Sequence, residues 1–109
     1  MALRVDAETV DGRVVAVCRG AIDLSTLPTL HGALGRVVTE AVGSVVTVDL
    51  DEVDSLDDAG LGVLLGAAGR ARRGDGDLVV VCSDPDRRAR LAITGFDRAV
   101  SVRSALDAR

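Results

Sequence analysis

The sequence has no lysine, tryptophan or tyrosine, and its thirteen basic residues are all arginine. A phosphate-cradling P-loop, a Schiff base and a two-component receiver site all use a lysine, so its absence excludes or strongly weakens each. Phe96 is the single aromatic residue, which removes the stacking platforms that single-stranded nucleic-acid binding needs. The formal net charge is −4, so nothing draws the chain to a phosphate backbone and no direct nucleic-acid partner is expected. No apolar run reaches 18 residues and the N-terminus has no leader pattern, which predicts a soluble, cytoplasmic protein without membrane insertion. Histidine occurs once, at His31, on what reads as the solvated face of an amphipathic helix. The two cysteines, Cys18 and Cys82, lie in valine-rich runs without C-x-x-C spacing and read as free core thiols.

What remains is aliphatic. Of 109 residues 48% are hydrophobic, enough for one domain, expected over residues 1–109, with a core of Val, Leu, Ile and Ala. LRVDAETV and RVVAVCRG flank Asp11-Gly12, a strong hairpin signal, so the chain is expected to open with an antiparallel pair. Ser25 or Thr26 can cap a helix whose first turn accepts Pro28, and Leu27, Leu30, Leu34, Val37, Val38 and Ala41 recur at helical spacing before Gly43. Val45 to Leu50 reads as a strand followed by a short acidic loop. A second helix is predicted from Asp58 to Arg73, with Leu61, Leu64, Leu65 and Ala68 as its core stripe, basic residues in its last turn and Gly74 beyond. Leu78 to Cys82 reads as a central strand, Ser83-Asp84-Pro85 as a helix start ending near Gly95, and Ala99 to Val102 as a last strand before a C-terminal helical turn. The order β-β-α-β-α-β-α-β-α predicts an α/β fold with a mixed sheet of about five strands and about four helices.

Asp57 and Asp58 open the second helix, where strand-to-helix loops commonly meet ligands. One carboxylate suffices as a cap, so Asp57 needs no further role. A catalytic pair would need a facing nucleophile or base, and none has a motif to supply it. The nearby Asp49, Asp51, Glu52 and Asp54 lack the alternate-ligand spacing of a calcium loop, so neither metal nor other cofactor is expected. Within the helix Gly62, Gly66, Gly69 and Arg73 fall in one narrow sector at 100° per residue. Three glycines cost about 1 kcal/mol each relative to alanine. Their alignment fits either tight internal packing or a bare face for a partner's backbone.

The residues resemble the STAS family, the domain of bacterial anti-sigma factor antagonists that also occurs in sulfate transporters. GAIDLSTLPTL (20–30) resembles the family's G-E-L-D-x-x-x-x-P-x-L, with Ala21 in place of the glutamate. VDLDEVDSLDDAGLGVLLGAAGRAR (48–72) resembles D-L-x-x-V-x-F-I-D-S-S-G-L-G-V-L-L, and SDPDRRARLAITGFDRAVSV (83–102) is similar to the family's third motif. The resemblance implies that Asp57 matches the motif's aspartate, Asp58 the serine phosphorylated by a kinase-type anti-sigma factor, Ala59 the second serine and Gly60 the glycine. Asp23 matches the aspartate of the first motif. The expected partner is an anti-sigma factor of the serine-kinase type, met through Asp23, Asp57, Asp58, Ala59, Gly60, Gly62, Gly66, Gly69 and Arg73, with no enzymatic activity. A carboxylate at the phosphoserine position either holds the protein in the released state or suits an adapted partner. A second reading is a cytosolic accessory subunit of a membrane transport system, and an enzyme using the acidic loop is a third.

Overall fold

The computed structural model describes residues 2–104. Its first elements follow from the hairpin signal. β1 (Leu3–Val10) pairs antiparallel with β2 (Arg13–Ile22) through a two-residue turn in which Asp11 and Gly12 have φ of 52° and 79°. Positive φ at both positions is the turn whose twist matches paired strands. α1 (Leu27–Glu40) crosses to β3 (Val45–Leu56), α2 (Asp58–Arg73) to β4 (Asp77–Val81), and α3 (Pro85–Thr94) with the short α4 (Phe96–Ala99) to β5 (Ser101–Arg103). The sheet order is β1-β2-β3-β4-β5, antiparallel only at the first pair.

One face of the sheet contributes Ala16, Cys18, Val46, Val48, Leu50, Leu78, Val80 and Cys82 to a core completed by α1, α2, Leu91 and Phe96. The helices supply their stripes at the expected spacing: Leu30, Ala33, Leu34, Val37 and Val38 from α1 are buried. In α2 the buried set is Gly60, Leu61, Leu64, Ala67, Ala68 and Ala71. Leu65, expected in that stripe, is 39% exposed. It sits a step beyond the sector that Leu61, Leu64 and Ala68 share, which packing fills with Ala67 and Ala71 instead.

The largest departure from the pattern reading is in β3. Residues 51–56, expected as an acidic loop, continue the strand to Leu56, and β2 likewise extends to Ile22 to pair with it. Two register shifts, between Val17 and Arg19 and between Gly20 and Ala21 of β2, each put one extra residue into β3. Each extra residue reverses the phase of a period-two strand. Leu50, Val53 and Leu56, three apart, therefore all enter the core. The spacing that disguised the strand is the mark of its bulges.

Smaller corrections concern the ends. The last strand begins at Ser101 because Phe96–Ala99 is helical after Gly95 takes the left-handed φ of 82°. The predicted C-terminal helical turn falls mainly on residues 105–109, outside the described ones. α1 is not capped by a hydroxyl. Thr26 instead donates to the Ala21 carbonyl at 2.8 Å and accepts from the Asp23 N–H at 3.0 Å, stapling the end of β2 to the helix entry. α3 is capped as expected, Asp84 accepting from the Asp86 N–H at 3.1 Å behind Pro85.

Cys18 on β2 and Cys82 just past β4 are both buried and free, with β3 between their strands. Burial, reinforced by the charge of Asp49, pushes the Cys18 thiol up from 9.0 to about 12; burial also raises Cys82. Native protein at pH 8 is expected to leave both thiols unreacted towards a disulfide reagent, and denatured protein to release two per chain. Prompt reaction of a native thiol would contradict the buried placement. Because the folded thiol holds its proton more tightly than the unfolded one, Cys18 costs no stability below pH 9 and progressively lowers it from there towards about 12.

Candidate interaction surface around the second helix

The N-terminal end of α2 is built from two chain crossings. The Asp57 N–H donates to the Ile22 carbonyl at 2.9 Å, so the β3–α2 junction is tied to the end of β2. The next residue, Asp23, folds its own loop by accepting from the Ser25 hydroxyl at 2.6 Å and the Ser25 N–H at 2.9 Å. The Ser25 hydroxyl bond, assisted by backbone N–H groups, holds the Asp23 carboxyl below its ordinary range. The Asp23 loop and the Asp57–Asp58 pair, distant in sequence, are thus joined at one end of the sheet.

Gly60 explains the close seating of α2. A methyl group there would stand 3.3 Å from Leu56 Cδ1 and within bonding-clash range of Ile22 Cγ2, so only glycine lets the first turn rest on the ends of β2 and β3. Gly60 is consequently buried and offers a partner no side-chain surface, whereas Asp57, Asp58, Ala59, Gly62, Gly66 and Arg73 are exposed and Gly69 is half-buried.

Neither aspartate behaves as a simple cap. Asp57 occupies the N-cap position with extended φ and ψ of −81° and 152°, yet its carboxylate bonds no helix N–H. Capping chemistry at the sequence level therefore overstates its role. Asp58 turns outward and meets Arg90 of α3, whose Nη2 donates to Oδ1 at 2.5 Å while Nη1 donates to the Leu56 carbonyl at 2.6 Å. Arg87, one turn earlier, donates to the carbonyls of Leu50 at 3.2 Å and Val53 at 3.0 Å. The reason lies in the sheet: β4 pairs with β3 only as far as Asp49, so beyond it β3 has no strand on its β4 side. Two arginines at i and i+3 of α3 take that strand's place. Sequence reasoning missed Arg90; its one available signal was the Arg87–Arg90 spacing opposite an acidic segment.

Beside this pair lies a cleft of about 260 Å³ between α2 and the α3–α4 turn, with Leu61, Gly62, Leu65, Thr94, Gly95 and Phe96 in its walls and Asp58 at its mouth. Gly62 is the one stripe glycine whose missing side chain leaves open space, with nothing within 4 Å of an added methyl group. The arrangement presents an apolar depression with an ion pair at one rim. It holds no group of three or more His, Cys, Asp or Glu side chains able to grip a metal ion among the described residues. Among them, too, no helix is long and apolar enough to cross a membrane.

The STAS domain family model matches residues 4–108. A protein of Bordetella bronchiseptica named as an anti-sigma factor antagonist, BtrV, is 29% identical over 94 residues, covering 86% of this chain and 80% of that protein. The crystal structure of an anti-sigma factor antagonist from Mycobacterium paratuberculosis superposes with a TM-score of 0.85 at 29% identity, covering 97% of this chain and 89% of that one. A crystal structure from Thermotoga maritima, named as that of an anti-sigma factor antagonist, superposes with a TM-score of 0.81 at 16% identity, covering 94% of this chain and 87% of that one. With a family match spanning nearly its whole length and the expected mixed sheet opening with an antiparallel pair, the chain belongs to the STAS domain family, on the fold shared by anti-sigma factor antagonists.

Proposed function

We propose that this protein is an anti-sigma factor antagonist that regulates transcription by binding an anti-sigma factor of the serine-kinase type through the N-terminal half of α2, and that its binding is not controlled by phosphorylation. The observation that carries this reading is the position of Asp58: first turn of α2, exposed, unused as a cap, at the rim of an apolar cleft. On the motif resemblance, Asp58 matches the family's phosphorylatable serine, and this position supports that match. A carboxylate there forms no stable serine-type phosphoester and carries one charge where phosphoserine carries about −1.5 to −2. Arg90 supplies its counter-ion from the same chain, so a partner meets an arginine–aspartate pair and not a bare anion.

The test is calorimetric titration against each kinase-type anti-sigma factor of the source genome, before and after incubation with magnesium and ATP. Binding to at least one, with affinity and mass unchanged by the incubation, is the expected result. Phosphate incorporation into the wild-type chain, or failure to bind any of them, would overturn the reading.

A further inference from the structure

α1 and α2 pack side by side, and their outer surface carries Arg36, Arg70 and Arg73, of which only Arg73 was expected at the partner face. Arg36 follows Gly32 by four residues, Arg70 follows Gly66 and Arg73 follows Gly69. A methyl group added at Gly32 would stand 3.6 Å from Arg36 Nη1, at Gly66 4.0 Å from Arg70 Nη1, and at Gly69 3.6 Å from Arg73 Nη1. Long side chains on a helix lean back over the residue four positions earlier, and where that residue is glycine the guanidinium settles low on the helix. Gly66 and Gly69 are therefore beds for arginines, and the glycine stripe is bare only at Gly62.

Arg70 reaches furthest. Its Nη2 would lie 4.0 Å from a methyl group on Gly35 of α1, so the guanidinium bridges the groove between the two helices. That nitrogen is sealed from solvent and has no acceptor among the described residues. The side chains of Arg36, Arg70 and Arg73 make no ion pair among them either. Arg72 shows the contrast: it is held by Asp77 at 2.9 Å and by the Ala99 carbonyl at 2.6 Å. On a chain of net charge −4, these unpaired cations oppose the exposed Asp57 and Asp58 at the other end of α2, with Gly62 and Leu65 between.

We propose that the Arg36–Arg70–Arg73 face docks an acidic helical segment of a protein partner, with Arg70 as the central carboxylate contact in the α1–α2 groove. Guanidinium groups match carboxylates in a two-pronged geometry, and Arg70, whose Nη2 is sealed in the groove, meets one through Nε or Nη1, which are not sealed. Arg70 and Arg73 are about 4.5 Å apart along the helix axis, the rise between carboxylates at i and i+3 of a facing helix. The low-lying arginines leave room for that helix to approach. Along α2 the order acid, apolar, base fixes the orientation of whatever binds. The inference rests on the proposed antagonist role for the partner's identity and names the chemistry of its second contact.

The probe is an alanine-based helical peptide with glutamates at i, i+3 and i+7, titrated into the labelled full chain and followed by amide and arginine Nε–H resonances. Saturable shifts at Gly32, Gly35, Gly66, Gly69 and Arg70, lost when the glutamates are replaced by glutamine and weakened about tenfold in Arg70→Gln, are expected, with affinity falling as salt rises. Equal response to the glutamine peptide, or shifts confined to the Asp57–Asp58 end, would overturn the proposal. So would the same shifts produced as readily by inorganic phosphate. Resonances of the sheet residues in Arg70→Gln report whether that variant is folded, and Arg73→Gln provides a second weakened variant. No anti-sigma factor enters this titration, so failure here leaves the antagonist reading standing, and failure of that reading leaves this one testable.

Discussion

Gly60→Ala is expected to lower the thermal midpoint by about 5–10 °C while Gly62→Ala, two residues along the same helix, raises it by about 4–8 °C. Alanine gains about 1 kcal/mol over glycine in a helix interior at either position. At Gly62 nothing lies within 4 Å of the new methyl group, so the gain stands alone. At Gly60 the methyl group drives into Ile22, a residue with 0% exposure and no direction in which to retreat, and meets Leu56 as well. Overpacking of this kind costs about 1–3 kcal/mol and at this separation outweighs the helix gain. Thermal unfolding of the two variants beside the wild type checks the signs. A midpoint raised in both would mean that Gly60 is not the seat of α2 on the sheet.

The second large effect concerns Asp58→Ser. The fold is expected to tolerate it, because the Asp58–Arg90 pair is an exposed contact worth about 0–1 kcal/mol and Arg90 keeps its bond to the Leu56 carbonyl. On the proposed reading, the variant carries a hydroxyl that a kinase-type anti-sigma factor would modify. It should therefore take up one phosphate per chain, and its affinity for that partner should fall on modification by about tenfold or more, while the wild type is indifferent. Arg90 then stands within reach of the new dianion. The change in affinity before any modification has its own meaning. Tighter binding by the serine variant places the wild type in the released state, its carboxylate disfavouring the complex. Weaker binding shows that the partner supplies donors to the carboxylate, a charge-assisted contact worth about 1.5–3 kcal/mol. Mass spectrometry and calorimetry on the same samples read both. A serine variant that gains no phosphate and binds every partner as the wild type does would reduce Asp58 to a surface ion pair.

Much of this surface was legible in the chain, and where it was not the cause is traceable. Asp58 at the mouth of α2 follows from helix phase, and Asp23 from the motif resemblance; both depend on a few neighbouring residues. Gly60 was read as part of the partner face, but its neighbours Ile22 and Leu56 come from two strands and bury it. The glycine stripe was left open between packing and a bare face. The structure divides it, since only side chains four residues away cover Gly66 and Gly69.

By itself the sequence determined the order of helices and strands, the opening hairpin and the aliphatic core. Turn chemistry, capping residues and hydrophobic period are decided by steric and hydrogen-bonding choices between near neighbours in the chain. Only the tertiary structure decided that β3 runs on through its acidic segment, because the bulges that bring Leu50, Val53 and Leu56 to one face arise from pairing with β2, some thirty residues away in register. The shorter β4 leaves the β4-side carbonyls of that overhang without a strand partner, and α3 brings Arg87 and Arg90 onto them. The ion pair at Asp58 is a consequence of that repair. Its partner lies 32 residues along the chain, and no local pattern sets the distance between them.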